Sequence, residues 1–271
     1  MIIQSGAARR FAITMDQHTA LAARFAEAFG NERFAPVAPR EPVLYMIRHH
    51  DQGWAALDAE APTNPATGLP YNLVETPLTE ILRTSAASPD FNEKHHPYCG
   101  LLSSMHSWGL YNGRYGMSDK VLLDQIPADC KPLVQAMLDG ERARQERLRA
   151  TLAAEPTTAQ WVEDGHLLQN YKQLQFFDTL ALYFNRTAEG AREATDFEHV
   201  PLDDARDATV SLRPAGGGRY VMDPYPFVEE AIEFFFEGRY VDALPAGTGD
   251  AWGPRLAALP VARQQFTIAA A

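Results

Sequence analysis

Apolar positions recur at helical spacing through the first two thirds of the chain and alternate more nearly every second residue after Arg186. Ile2-Ile3 and Phe11-Ala12-Ile13 flank a Ser-Gly-Ala-Ala turn and predict a short amino-terminal hairpin. Thr14-Met15-Asp16-Gln17 then has the spacing of a capping box, and His18, Leu21, Ala22, Phe25, Ala28 and Phe29 form one face of a helix that ends at Gly30. After prolines at 36, 39 and 42, the face Val43, Ile47, His50 and Trp54 predicts a second helix carrying His50 and Asp51. Residues 58–77 hold four prolines and one glycine and predict an irregular loop, placed by its composition as a lid.

A helix is predicted around residues 78–85, then a loop bearing His95 and His96 up to Pro97. Cys99, Leu102, His106 and Leu110 mark a further helix, broken by Asn112-Gly113-Arg114-Tyr115-Gly116. Two long helices follow, over 132–152 and 157–185, and Asp178 lies in the middle of the apolar stripe of the second. Residues 209–213 and 219–222 around Gly216-Gly217-Gly218 predict a hairpin; 232–241 and 266–268 read as strands. The pattern therefore predicts a mainly α protein: a helical bundle with a small antiparallel β-sheet made by the N- and C-terminal segments. Residues 1–205 would form the helical domain with its hairpin, and residues 206–271 a β-rich appendage on the same core.

Composition narrows the function. A formal net charge of −11 repels polyanions, and the basic run Arg142 to Arg149 is interleaved with glutamates, so nucleic acid is not an expected partner. Two distant cysteines, Cys99 and Cys130, suggest neither a disulfide framework nor a cysteine zinc site and agree with a cytoplasmic protein. No apolar run long enough for a membrane span occurs. The expected partner is a small-molecule substrate, with a homodimer left open.

The chemistry lies in ionisable residues set into apolar stripes. His18, His50, Asp51, His106 and Asp178 each fall where an unpartnered polar group would be costly, and a shared cation would repay that burial. Imidazole nitrogens with carboxylate oxygens suit zinc, iron or manganese. His96 is a further ligand candidate from its loop, and Trp54, Trp108 and Tyr111 are candidate walls of an aromatic substrate pocket. Ser103-Ser104 lacks nucleophile-elbow glycines, and Gly216-Gly217-Gly218 lacks the lysine of a phosphate loop.

The order His18, His50-Asp51, Asp178 resembles the HD metal-dependent phosphohydrolase superfamily. The segments ending Gln17-His18, His50-Asp51-Gln52-Gly53-Trp54, Leu101 to His106 and Pro224-Tyr225-Pro226-Phe227 resemble an uncharacterised bacterial family with an HD-like helical core. The resemblance implies one or two divalent ions, with His106 favouring two and iron or manganese as the metal. It implies hydrolysis of a small phosphate ester or nucleotide, with Asp51 as catalytic ligand. Two alternatives accompany it: a di-iron oxygenase that cleaves a carbon bond, and a binding module whose ions only staple the bundle. The chain departs from the superfamily after Gly53, where Trp54 replaces a lysine able to meet phosphate; Arg48, Lys94, Arg114 or Lys172 would have to supply that charge from elsewhere.

Overall fold

In the computed structural model, which describes residues 1–245 and 251–271, the capping residue Thr14 starts helix α1 (Met15–Ala28): its hydroxyl accepts the Gln17 N–H at 3.3 Å. Helices α2 (Arg40–His49), α3 (Ala55–Glu60), α4 (Leu78–His95), α5 (Pro97–Tyr111), a one-turn element α6 (Gly113–Gly116), α7 (Leu122–Gln125), α8 (Lys131–Ala153), α9 (Asp164–Arg186) and α10 (Gly253–Ala258) follow. The strands are β1 (Ile2–Gln4), β2 (Arg10–Ile13), β3 (Thr195–Pro201), β4 (Asp207–Gly216), β5 (Arg219–Asp223), β6 (Ala231–Val241) and β7 (Ala262–Ala270).

The expected mainly α bundle with a small antiparallel sheet is corrected here. The strands form one seven-stranded sheet in the order β1-β2-β6-β7-β5-β4-β3. It is mixed, because β5 and β7 run parallel while the other pairs are antiparallel. The amino-terminal hairpin is joined to the carboxy-terminal strands by pairing of β2 with β6, so the sheet is a full layer of an α+β fold. Strand β3 gave little signal in sequence, since its Thr-Asp-Phe-Glu-His run holds one large apolar residue before Val200 and is interrupted by a bulge between Phe197 and Val200.

Helix α1 packs against β6, and α9 against β1 and β3; α2 and α5 pack on the far side of this helix pair, with α4 and α8 outermost. Between helices and sheet, Phe25, Phe184, Phe234 and Phe266 form an aromatic cluster in which the Phe184 and Phe266 rings stack at 3.6 Å. Burial of each such ring contributes roughly 2–3 kcal/mol. Alternation along β6 sends Phe234 and Phe236 inward and leaves Phe235 half-buried, with the guanidiniums of Arg24 and Arg263 over its ring. One apolar cluster thus draws on both segments that the sequence pattern separates at residue 205.

Helix α4 runs well past the predicted end at Ser85, through Pro89, to His95. Pro89 has no N–H to give the Ser85 carbonyl, and the Ser107 hydroxyl of α5 donates to that oxygen instead, at 2.9 Å. A tertiary contact therefore tolerates a residue that reads locally as a helix breaker. The proline-rich segment after α3 packs beside a second small core: the Leu244 N–H donates to the Gly68 carbonyl at 2.9 Å, and Leu69 packs with Met1, Ile3 and Trp252.

Candidate metal centre

Four chain segments meet where α1, the end of α2, α5 and α9 converge. His18 lies on the buried face of α1, its Nδ1 3.0 Å from Asn185 Oδ1 and its Nε2 3.0 Å from Asp178 Oδ1. His50 caps the C-terminus of α2 and donates from Nδ1 to the Ile47 carbonyl at 2.7 Å. A carbonyl only accepts, so the Nδ1 proton is fixed and the neutral ring presents a lone pair at Nε2. That Nε2 is buried, has no hydrogen-bond partner, and faces Asp51 Oδ2 at 3.6 Å and Asp178 Oδ1 at 3.8 Å.

The periodicity predicts that Asp51 continues the helix, and it does not. With φ −112° and ψ 25° it leaves α2 and opens the single 3₁₀ turn Gln52–Trp54. The bend is pinned to α4: Gly53 N–H donates to Ser88 Oγ at 3.0 Å, and a Cβ on Gly53 would lie 2.2 Å from the Thr84 carbonyl oxygen. Close approach to α4 explains this glycine without any appeal to phosphate.

His106 enters from α5, its ring centroid 5.1 Å from that of His50 and its Nδ1 2.9 Å from the Gln175 carboxamide. The ligand atoms form two overlapping triads, His18-His50-Asp51 and His50-His106-Asp178, each within 4.8 Å. All five side chains named from the sequence are thus together. Four are buried and Asp51 is partly exposed.

The electrostatics follow from burial among carboxylates. Burial opposes charge on His50, but Asp51 and Asp178 outweigh it and raise its pKa to about 9. For His106 burial dominates and pushes the value down to about 4, although Asp178 works the other way. Burial likewise opposes ionisation of Asp178, and the facing histidines overcome it, holding the carboxyl well below its usual range.

The other predicted residues lie elsewhere. His96 belongs to neither triad; it caps α5, its Nδ1 accepting the Tyr98 N–H at 3.0 Å, and its ring faces Trp161. Trp54 is buried in the main apolar core, while Tyr111, and Trp108 packed against it, belong to a smaller cluster with Val134 and Leu138. None of the three lines the 910 Å³ cavity beside α9. His49 turns outward to Gln52 and Tyr45. Of the cations that might replace the missing lysine, Arg48 pairs with Asp16 and Lys172 with Asp207. Sequence reasoning missed Gln175 and Asn185, which hold the outer nitrogens of His106 and His18. They sit three residues before and seven after Asp178, so the signal was a row of carboxamides on that apolar helix face.

Fold and site define an α+β protein with a buried His/Asp cluster of metal-ligating composition. The chain belongs to the family described as "Protein of unknown function (DUF3891)", whose model matches residues 1–243. No curated protein matches the chain, and no solved structure does. Among the described residues no helix is long and apolar enough to cross a membrane.

Proposed function

We propose that the protein is a metal-dependent hydrolase of a small phosphate ester or nucleotide, with its ion held by His18, His50, Asp51, His106 and Asp178. The observation that carries this reading is the buried Nε2 of His50, whose lone pair is fixed by the Ile47 carbonyl and points between two carboxylates with no hydrogen-bond partner. Such an atom needs a proton or a cation, and a second and third imidazole close by favour the cation. His50 is common to both triads yet offers one nitrogen, so it commits to one ion; a second ion would rely on Asp51 or Asp178 as a bridge. The order of ligands along the chain, His, His-Asp, Asp, adds support through its resemblance to the HD phosphohydrolases.

A divalent ion bound there would supply Lewis acidity toward a phosphoryl oxygen and acidify a water molecule at neutral pH. Asp51, the partly exposed member, would accept the proton of an attacking water and pass it to solvent. Asn185 orients the His18 ring by accepting from its Nδ1, and Gln175, whose amide nitrogen lies at His106 Nδ1, would turn its carboxamide oxygen to that nitrogen when His106 Nε2 holds an ion.

Elemental analysis of protein purified without added metal is expected to find iron or manganese, with zinc as the substitute, and the loaded protein to release phosphate from a panel of monoesters, diesters and nucleotides. Substituting His50→Ala and Asp178→Asn is expected to remove both metal and activity. Protein that binds no divalent metal with these residues intact sinks the reading. Full loading with no hydrolysis leaves the ion as a structural staple, and dioxygen consumption by a di-iron form would replace hydrolysis with oxygenation.

A further inference from the structure

Beside the cluster, a cavity of about 910 Å³ lies between α9, the α6 turn and β3. Four cationic side chains, Arg114, Lys120, Lys172 and Arg186, line it against two carboxylates, Asp196 and Glu198, in a chain whose net charge is −11. A cation-rich hollow in an acidic protein concentrates anions. Lys172 is already neutralised by Asp207 at 2.6 Å, and Lys120 and Arg186 lie at the exposed rim. Arg114 is half-buried, and its guanidinium has no hydrogen bond or ion pair among the described residues.

Its backbone is equally distinctive. Gly113, Arg114, Tyr115 and Gly116 have φ values of 62°, 51°, 57° and 86°, one turn of left-handed chain in which two residues carry a Cβ. Strain of this kind persists where the surroundings hold it. Gln175 connects this cavity to the cluster: it lines the wall and touches His106 Nδ1 at 2.9 Å. Close by, the Tyr171 hydroxyl is buried with no hydrogen-bond partner, and its ring meets that of Tyr115 edge-on at 5.0 Å.

We propose that Arg114 is the anion-binding group of this cavity: a small molecule lies between α9 and β3 with its phosphate or carboxylate on the guanidinium, next to the Gln175 wall that leads to His106. Calling that molecule the substrate rests on the reading of the cluster as a reaction centre. Arg114 then supplies the charge that the chain lacks after Gly53. A planar guanidinium matches either oxyanion in bidentate fashion.

The test is calorimetry on the full chain stripped with chelator, titrated with inorganic phosphate and separately with succinate, so that no metal contributes. Millimolar or tighter binding of either is expected from the wild type. R114N, which removes the charge while suiting left-handed backbone, is expected to weaken it by about tenfold or more, and R114K by less. Hydrogen exchange of the wild type is expected to show anion-dependent protection over residues 110–118, which reads the site even if a variant misfolds. Binding of succinate but not phosphate keeps Arg114 in this role and removes phosphate esters from the proposed function. No binding of either anion, unchanged binding by a folded R114N, or no protection at 110–118 overturns the proposal. Metal content measured on the unstripped protein reports separately on the His/Asp cluster.

Discussion

Asn185 Oδ1 sits 3.0 Å from His18 Nδ1, on the side of the ring away from Asp178. The carboxamide oxygen only accepts, so Nδ1 donates to it, and Nε2 is the nitrogen that meets the Asp178 carboxylate, by a hydrogen bond or through a shared cation. Asn185→Ala removes the acceptor without touching a proposed ligand. Metal affinity, read by competition with a chromogenic chelator, is expected to fall by about 10- to 100-fold while the fold is retained. Undiminished affinity in a folded variant would mean that His18 is held to Asp178 as a plain hydrogen-bonded pair.

The two central histidines predict opposite pH limits for the chelator-treated protein. His50, raised from an ordinary 6.5 to about 9, gives stability that is complete below 6.5 and is lost as pH rises through 9. His106, depressed to about 4, stays neutral in the fold while the unfolded chain takes up a proton, so stability falls as pH drops from 6.5 toward 4. Asp178 adds its loss in the same acid direction, below the ordinary carboxylate value of 3.8. The melting temperature of the stripped protein is expected to peak near pH 6.5, and the alkaline decline to vanish in His50→Gln. A metal ion competes with the His50 proton, so stabilisation by added metal is expected to grow with pH. An alkaline limb unchanged in His50→Gln would remove His50 as its source.

Gly109 lies one turn beyond His106 on α5, where an added Cβ would come within 2.1 Å of the Tyr171 hydroxyl oxygen. Alanine usually favours a helix over glycine by up to ~1 kcal/mol, so the intrinsic term alone predicts a more stable variant. The contact predicts the reverse for Gly109→Ala, a loss on the order of 1–3 kcal/mol from overpacking. Tyr171→Phe removes the oxygen and is expected to restore most of that loss in the double variant. Urea unfolding of the four proteins measures the coupling, and additive effects would exclude the clash.

The five metal-ligating candidates were visible because burial leaves a mark in one dimension. His18, His106 and Asp178 interrupt apolar helical stripes, and such positions must find partners wherever the helices pack. The sheet was less visible. β1 and β2 read as an isolated hairpin, since nothing local shows that Phe11 will stand opposite Tyr240, more than two hundred residues away. Helix α4 ran past its predicted end because the hydroxyl that replaces the missing donor of Pro89 comes from α5. Arg114 was one of four equivalent cations until pairing removed Arg48 and Lys172 and the cavity wall singled it out.

Taken alone, the sequence determined which residue types would be buried on which helix faces, because amphipathic period and the cost of stranded polar groups act over one or two turns. It determined the ligand chemistry on offer for the same reason. Only the tertiary structure decided that the termini share a seven-stranded mixed sheet and that His96 caps a helix outside the triads. The direction of the His50 lone pair was decided there too. Those outcomes depend on strand pairing, tautomer and approach across long separations, where the free energy belongs to the contact formed and not to any local stretch of chain.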